Sequence, residues 1–226
     1  MRAHLSAERG FDRLAPLYDL GTLPLASYLR MARSELLKHI PAPRSVLAIG
    51  DGSGRGVADL LARGKPERVC LVDISEAMLE RAHRRCAAIE TGAKIEYVHA
   101  DIRELKFDGS FAFDLVLTHF LLDCFENSQV RAIVERVSRV CTPNALWYVS
   151  DFSHCRGLAA LPADAIVRML YGFFRVTCGI DADQLPDYGT CFEKSGWHEL
   201  QRQEYLQGWI FGALYARLPL RGETPS

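Results

Sequence analysis

Short apolar runs alternate with amphipathic stretches through the middle of the chain. Each run is apolar for most of its length, which is typical of strands buried on both faces of a parallel sheet. Between the runs, apolar residues recur at helical spacing, and Ser75 is placed to cap one of these helices. Strands that alternate with helices in this way predict a doubly wound α/β fold. The five runs are Val46–Ile49, Val69–Val72, Ile95–His99, Asp114–Thr118 and Leu146–Ser150.

The two ends of the chain depart from this alternation. Phe11–Ile40 carries no strand pattern and predicts two helices ahead of the sheet. Ala163–Cys178 is helical and aromatic-rich, and its aromatic side chains could roof an apolar pocket or belong to an ordinary core. Near the C-terminus, His198–Tyr205 and Gly208–Ala216 predict a closing antiparallel pair, although the second run also fits a helix. With both of these strands the mostly parallel sheet would have seven.

Composition and charge narrow the classes of function. The chain has 226 residues, of which 49% are hydrophobic and 24% are charged, and its net charge is −1. This balance is ordinary for a globular protein and provides no basic surface for nucleic acid. No apolar stretch is long enough to cross a bilayer, and the first residues lack the apolar core of a signal peptide. We therefore expect a cytoplasmic protein with a small-molecule partner, no nucleic-acid partner and no stable membrane insertion.

The cysteines agree with that location. Seven cysteines are scattered along the chain, and no two of them form a CxxC pair. The pattern supports neither a zinc ribbon nor a redox dithiol, and we predict no metal site. Free thiols in a reducing compartment are the simplest interpretation.

The first predicted strand runs into a glycine-rich turn, Gly50-Asp51-Gly52-Ser53-Gly54. Glycine lets the backbone turn tightly and approach a ligand closely, and the amides at the start of the next helix favour anionic or polar groups. The dinucleotide fingerprint GxGxxG requires glycine at position 55 or 57, where Arg55 and Val57 stand. The turn is therefore a ligand loop or a purely structural turn, and an NAD-dependent oxidoreductase is the weaker alternative.

Two carboxylates follow neighbouring predicted strands. Asp73 ends the second strand 19 residues after Gly54, where a carboxylate can accept hydrogen bonds from both hydroxyls of a ribose. Its alternative role is to cap the next helix, which Ser75 can do instead. Asp101 follows the third strand and could accept from an adenine amino group while Ile102 packs on the ring, or it could simply stabilise a turn.

These residues, in this order and spacing, resemble the class I S-adenosylmethionine-dependent methyltransferases. The segments that carry the resemblance are VLAIGDGSG, LVDIS, HADI, FDLVLTHFLLD and VCTPNALWYVSDF. The opening FDRLAPLYDL and the later FEKSG are similar to the ubiquinone and menaquinone biosynthesis C-methyltransferases and their small-molecule relatives. The resemblance implies a Rossmann-like methyltransferase fold in a single domain of residues 1–226. The domain would comprise a helical cap (1–42), a cofactor-binding core (43–155), a helical substrate-side insertion (156–195) and closing strands (196–220).

The resemblance also implies how S-adenosylmethionine would be bound. The glycine turn would flank the methionine part of the cofactor, Thr118 would line the methyl-transfer cleft, and Tyr18 would close over the site. Ala48 stands where the family usually has an acidic residue, and Asp51 is its candidate substitute. Asp73 would hold the ribose. The full set of implied cofactor-binding residues is Tyr18, Gly50, Asp51, Gly52, Gly54, Asp73, Ile74, Asp101, Ile102 and Thr118.

Methyl transfer needs few catalytic side chains. The sulfonium methyl is already electrophilic, so the enzyme mainly aligns it with a nucleophile. A base is required only if the nucleophile must lose a proton, and His119 is the first candidate, followed by Asp123 and His154. The alternative is that His119 is a satisfied, partly buried ring and Asp123 a solvated helix residue. We expect a methyltransferase acting on a small, apolar or aromatic metabolite, the alternative being a non-catalytic module or partner subunit that binds the cofactor or its demethylated product.

Overall fold

The computed structural model describes residues 25–107, 112–155 and 184–217, which form one sheet with helices on both of its faces. The strands are β1 Ser45–Ile49, β2 Arg68–Asp73, β3 Lys94–His99, β4 Phe113–His119, β5 Cys141–Phe152, β6 Trp197–Tyr205 and β7 Ile210–Arg217. The helices are α1 Ala26–Ser34, α2 Arg55–Arg63, α3 Glu76–Ala87, α4 Asn127–Ser138 and α5 Tyr188–Glu193, with short 3-10 helices at Glu35–His39 and Leu122–Cys124.

The seven strands lie in the order β3-β2-β1-β4-β5-β7-β6. The first five in chain order are parallel, and β7 runs antiparallel to both β5 and β6. The strand order reverses between β1 and β4, and ligands of open α/β sheets bind outside the carboxyl ends of the strands at such a point. The doubly wound, mostly parallel sheet predicted from the sequence is confirmed, and Gly208–Ala216 contributes a strand and not a helix.

The two faces of the sheet explain why the predicted strands are apolar throughout. On one face, Val46 and Ala48 of β1 belong to an apolar cluster with α2 and α3. On the other face, Leu47 and Ile49 belong to a second cluster with α4 and α5. Successive side chains of a strand point to opposite faces, so a strand covered on both sides must be apolar at every position.

The cap is tied to the sheet near the end of α1. The hydroxyl groups of Tyr148 and Ser150, both on β5, donate to the main-chain carbonyl of Ala32, and the Ser150 bond is 2.7 Å long. This carbonyl is one of the last in α1, where a helix leaves carbonyls without internal partners. The rest of the predicted cap, with Tyr18, and most of the predicted insertion lie outside the described residues. No helix among the described residues is long and apolar enough to cross a membrane.

Candidate functional site

A glycine-rich loop, residues 50–54, connects β1 to α2. Its glycines have left-handed backbone, with φ of 63°, 55° and 74° in chain order, a conformation that side chains other than glycine rarely adopt. A Cβ on Gly50 would lie 2.6 Å from the Leu121 side chain. A Cβ on Gly54 would lie 2.8 Å from Ala82 on α3. Packing by the protein itself therefore requires glycine at these two positions.

Gly52 and Asp73 form the open side of the loop. A Cβ on Gly52 would have its nearest neighbour 3.9 Å away, at Met78 Sδ, so a side-chain atom would fit beside its Cα without a clash. The Gly52 N–H donates to Asp73 Oδ2 at 3.2 Å, and the Ser75 N–H donates to Asp73 Oδ1 at 2.9 Å. Burial raises the pKa of Asp73 to about 7, against the effect of these amides. Ser75 caps α3 through its own hydroxyl, so Asp73 joins the end of β2 to the loop.

The Asp51 carboxylate lies beneath the loop. Its Oδ1 accepts from the Gly56 N–H at 3.1 Å and its Oδ2 from the Val57 N–H at 2.9 Å, which satisfies amides of the first turn of α2. His119 Nδ1, at the end of β4, lies 3.4 Å from Asp51 Oδ1. Burial raises the pKa of Asp51 to about 6 and lowers that of His119 well below its ordinary value. At neutral pH, Asp51 is therefore a negative charge beside a neutral imidazole ring.

Arg33, near the end of α1, brings a positive charge to the same place. It is only 6% exposed, and its guanidinium carbon lies 5.3 Å from the centroid of the Phe120 ring. Burial has the larger effect on both pKa values. The charge of Arg33 opposes burial at Asp51, where it favours the ionised form, and adds to burial at His119, where it favours the neutral form. Ala48 is fully buried among apolar side chains. The carboxylate at the base of the loop thus comes from Asp51 and not from β1.

Asp101, Ile102 and Ile74 follow the ends of β3 and β2. The Asp101 carboxylate accepts from the Arg103 main-chain N–H at 2.8 Å and from the Arg103 guanidinium at 2.7 Å. Ile102 is buried in the apolar cluster that includes α4, and Ile74 is half-buried, with its carbonyl oxygen 2.9 Å from His99 Nε2. Asp101 therefore stabilises its own turn, which is one of the two roles that the sequence left open.

Thr118 links two central strands at their carboxyl ends. Its hydroxyl oxygen accepts from the Trp147 indole N–H at 2.9 Å, and its side chain is fully buried on the α4 face of the sheet. The next residue, His119, lies on the opposite face, where its ring makes an edge contact with Tyr148 at 5.3 Å between centroids. Two consecutive residues of β4 therefore lie on opposite faces of the sheet, Thr118 beside Trp147 and His119 beside Tyr148.

A pair of buried carboxyl groups lies where β4 and β5 end. Asp123 follows β4 in a 3-10 helix, and its main-chain N–H donates to the carboxylate of Asp151, near the end of β5, at 3.3 Å. Asp151 also accepts from the amides of Leu122 at 3.0 Å and Phe152 at 2.9 Å. Burial raises the pKa of Asp123 to about 6, while burial and the neighbouring carboxyl group raise that of Asp151 well above its ordinary value. The pair therefore binds a proton more readily than two exposed carboxyl groups would.

Aromatic side chains continue from this pair toward the cap. The rings of Phe120 and Phe152 are 5.3 Å apart between centroids, and those of Phe152 and Trp209 are 5.9 Å apart. Leu25 packs beside this row, which we call the aromatic row. Within the described residues the buried Trp209 indole N–H has no hydrogen-bond partner. The aromatic row and the carboxyl pair both lie at the carboxyl edge of β4 and β5, but Phe152 and Asp151 are consecutive residues of β5 and point to opposite faces of the sheet.

The structure brings together some of the predicted residues and adds two others. The glycine loop, Asp73, Asp51 and His119 form one group, whereas His154 is exposed and Tyr18 lies outside the described residues. Asp151 and Arg33 were not predicted from the sequence. A charged residue directly after the apolar run Leu146–Ser150 was the available signal for Asp151. Arg33 has no such signal, because its position depends on how α1 packs.

The site fits the cofactor that the resemblance implies. The open space beside Gly52 adjoins the Asp73 carboxylate, which lies at the carboxyl end of the neighbouring strand β2. A carboxylate in this position suits the two hydroxyls of a ribose, and a loop without side chains suits a ligand that approaches the backbone. No larger side chain fills the position of a Cβ on Gly52, because the nearest one, that of Met78, is 3.9 Å from it.

Comparisons with known proteins agree with this geometry. A family described as a methyltransferase domain matches residues 46–144. The chain is 31% identical over 236 aligned residues to a demethylmenaquinone methyltransferase from Clavibacter sepedonicus, and the alignment covers 99% of this chain and 90% of that protein.

Solved structures share the fold at low identity. A mitomycin 7-O-methyltransferase matches with a TM-score of 0.67 at 18% identity, over 92% of this chain and 60% of that chain. The N-methyltransferase NodS from Bradyrhizobium japonicum WM9, in complex with S-adenosyl-L-homocysteine, matches with a TM-score of 0.63 at 16% identity, over 94% of this chain and 98% of that one. The chain belongs to the class I S-adenosylmethionine-dependent methyltransferases, enzymes that transfer the methyl group of this cofactor to a small molecule.

Proposed function

We propose that this enzyme methylates a small, apolar or aromatic acceptor that binds against the carboxyl ends of β4 and β5. The observation that carries the proposal is that the aromatic row and the carboxyl pair Asp123–Asp151 lie at the same carboxyl edge of β4 and β5. Ligand pockets are lined mainly by apolar and aromatic side chains, with a few polar groups that fix orientation. An apolar ring would stack on the row while a polar substituent meets the carboxyl pair.

In this proposal, S-adenosylmethionine binds across the carboxyl ends of β1 and β2. Gly52 leaves room for the methionine part, and Asp73 accepts from the ribose hydroxyls in addition to its two loop amides. The adenine lies toward Ile74, Asp101 and Ile102, where it shares the Asp101 carboxylate with Arg103. Gly50, Gly54 and Asp51 act indirectly, by shaping the loop.

The acceptor is brought to the cofactor by the turn that follows β4. The Leu121 side chain packs against Gly50, so this turn touches the glycine loop. Asp123 comes two residues later and faces Asp151. Thr118 lies at the end of the same strand, so the cleft for methyl transfer is bounded by β4 and the turn, and Tyr18 is proposed to close it.

Asp123 is the base that the reaction needs when the acceptor atom carries a proton. When bound, S-adenosylmethionine supplies an electrophilic methyl group to the acceptor atom. Asp123 takes up the proton that this atom loses as its bond to carbon forms, and main-chain amides hold the neighbouring Asp151 in place. A pKa of about 6 leaves Asp123 ionised at neutral pH and near the range in which a carboxylate is an efficient base.

His119 is less suited to this role than its place in the sequence indicated. Its ring is packed beneath the glycine loop, against Asp51 and Tyr148, and faces away from the carboxyl pair. Burial also lowers its pKa well below the range of an efficient base at neutral pH. We therefore assign His119 to the support of the loop.

Similar proteins and the cysteines support the remaining parts of the proposal. One relative is a demethylmenaquinone methyltransferase and one structural neighbour a mitomycin 7-O-methyltransferase, which agrees with a small-molecule acceptor for this enzyme. All six cysteines that the structure describes are free thiols, which suits a reducing compartment and supports a cytoplasmic location. Membership of an enzyme family does not favour the non-catalytic module.

The test is methyl transfer from labelled S-adenosylmethionine to two panels of small molecules, one of apolar phenols and quinols and one of polar aliphatic amines. We expect product with the first panel and little with the second. Asp123→Asn should lower kcat by about 100-fold, the contribution of a general base, with the KM for the cofactor unchanged.

The matched control is Asp187→Asn, which changes an exposed carboxylate that caps α5. This variant should keep the wild-type kcat. Equal turnover of both panels would contradict the apolar acceptor, and wild-type kcat in Asp123→Asn would remove Asp123 as the base without affecting the assignment to the family.

A further inference from the structure

The loop that would hold the cofactor is supported from below by a buried polar cluster. The side chains of Asp51 and His119 are 2% and 1% exposed, and Arg33, which is also buried, stacks on Phe120, the residue that follows His119. The cluster is tightly packed, because a Cβ on Gly56 would lie 2.4 Å from His119 Nδ1 and 2.5 Å from Asp51 Oδ1. Glycine at position 56 is thus required for the cluster to exist, although the residue lies inside α2 and outside the glycine loop.

Asp51 connects the cluster to the loop. Its carboxylate accepts from the amides of Gly56 and Val57, and its own main-chain carbonyl accepts from the Gly54 N–H at 3.1 Å. One residue therefore fixes both the last glycine of the loop and the first turn of α2. A buried carboxylate is costly unless a positive charge or hydrogen bonds compensate it.

Arg33 supplies the positive charge, and α1 holds Arg33 in place. The preceding residue, Ala32, has its carbonyl anchored to β5 by the Tyr148 and Ser150 hydroxyls. Arg33 also stacks on Phe120, which follows His119 at the end of β4. The charge that stabilises Asp51 is therefore delivered by a segment that precedes the whole sheet in the chain.

We propose that Arg33, His119 and Asp51 are positioning residues that hold the glycine loop in its cofactor-binding shape and make that shape depend on the docking of α1. The cluster acts on the cofactor only through the loop, because Asp51 and His119 are almost completely buried beneath it. Release of α1 would leave the Asp51 carboxylate without its counter-charge, and the amides of Gly56 and Val57 would lose a fixed acceptor. This inference rests on the proposed placement of the cofactor at the loop.

The test compares the affinity for S-adenosyl-L-homocysteine, by calorimetry, with thermal stability in a set of variants. Arg33→Met and Asp51→Asn should each weaken binding by about tenfold, the order expected when a buried charged partner is lost. Arg33→Lys keeps the charge and should bind within about threefold of wild type. The double variant should bind no more weakly than Arg33→Met alone, because Asn at position 51 no longer needs a counter-charge.

The matched control is Arg202→Met, which removes a partly buried arginine that stacks on Phe211 at the far edge of the sheet. It should lower the melting temperature without changing affinity. Amide hydrogen exchange at Gly56 and Val57 should accelerate in Arg33→Met and Asp51→Asn and stay at the wild-type rate in the control. If Arg33→Met does not fold, Arg33→Lys and Asp51→Asn carry the same comparison.

Two outcomes would overturn the inference. One is wild-type affinity in both Arg33→Met and Asp51→Asn, and the other is an affinity loss in Arg202→Met that matches theirs at equal loss of stability. Asp73→Ala separates this failure from that of the proposed cofactor site. If Asp73→Ala also binds normally, the cofactor lies elsewhere, whereas a weakened Asp73→Ala beside normal Arg33 variants removes the positioning network alone.

Discussion

The two halves of the crevice are built in different ways. At the ends of β1 and β2, the proposed cofactor half consists of main chain and one carboxylate, with Gly52 and Asp73 on its open side. At the ends of β4 and β5, the proposed acceptor half consists of side chains, namely the aromatic row and the pair Asp123–Asp151. In this proposal, the first half would recognise a ligand by its backbone shape, and the second by its side-chain chemistry.

This difference indicates which residues could change the choice of acceptor while the enzyme continues to use S-adenosylmethionine. A glycine loop packed against Leu121 and Ala82 tolerates almost no substitution, because any Cβ at Gly50 or Gly54 would enter its neighbours. The aromatic row has no comparable constraint from the backbone. We expect the cofactor half to be sensitive in binding and the acceptor half to be sensitive in substrate choice.

The largest loss of cofactor affinity is expected from the substitution of Asp73. Asp73→Ala should weaken the binding of S-adenosyl-L-homocysteine by about 2–3 kcal/mol, because two ribose hydroxyls lose a buried charged acceptor. This corresponds to about a 30- to 150-fold rise in the dissociation constant, measured by calorimetry.

Asp114→Ala is the matched control for that variant. Asp114 also accepts from two main-chain amides, those of Arg44 at 2.8 Å and Ser45 at 3.1 Å, but it lies at the opposite end of the sheet. Its substitution should change stability and leave affinity intact. Unchanged affinity in folded Asp73→Ala would contradict the ribose assignment and the division of the crevice into these halves.

The features that the sequence predicts are the ones that depend on neighbours along the chain. Apolar runs predict strands, and three glycines predict a tight loop. The carboxyl ends of parallel strands meet at the same edge of a sheet, so a carboxylate at the end of one strand lies beside the loop that follows the neighbouring strand. The structure agrees with this rule, since the Gly52 N–H donates to the Asp73 carboxylate. The same logic predicted that Ser75 would cap α3.

The features that the sequence does not predict depend on side-chain direction and distant packing. Nothing local indicates that the Asp51 carboxylate lies beneath its loop, or that His119 faces the α2 side while the carboxyl pair lies across the sheet. Asp123 and Asp151 meet only because β4 and β5 are neighbours in the sheet. The strand Ile210–Arg217 was ambiguous for a similar reason, since its pairing with β5 and β6 decides between strand and helix.

A second prediction sharpens the comparison within the loop itself. Gly54→Ala should lower the free energy of unfolding by about 2 kcal/mol, because the new Cβ meets the Ala82 backbone in a left-handed conformation. Gly52→Ala places its Cβ at an ordinary contact distance of 3.9 Å from Met78 Sδ and should lower this free energy by about 1 kcal/mol, the strain of the backbone alone. Chemical denaturation measures both values.

The two substitutions should affect binding affinity in the reverse order, once each affinity is corrected for the fraction of the variant that is folded. Gly52→Ala should weaken the binding of S-adenosyl-L-homocysteine more than Gly54→Ala does, because its methyl group occupies the space proposed for the cofactor. Equal effects of the two substitutions on affinity would mean that the open side of the loop is not the binding side.

Near neutral pH, the smallest effect is expected from a change of pH, and it comes from the charge of Asp73. Burial raises the pKa of this carboxyl group to about 7 in the free protein, and hydrogen bonds from ribose hydroxyls favour the ionised form, so binding should lower the pKa. Affinity is then constant above pH 7 and falls by up to tenfold, about 1.4 kcal/mol, for each unit below it. Calorimetric titrations from pH 5.5 to 8.5 in buffers of different ionisation enthalpy should show proton release on binding below about pH 7. Asp73→Asn cannot ionise and should bind with weak affinity that is nearly constant above about pH 7, and only the loss of up to about tenfold that we expect for a neutral Asp51 carboxyl group should remain near pH 6. A dependence centred near pH 7 that survives in Asp73→Asn would show that Asp73 is not the group that titrates, and would assign cofactor affinity to the base of the loop or to the acceptor half.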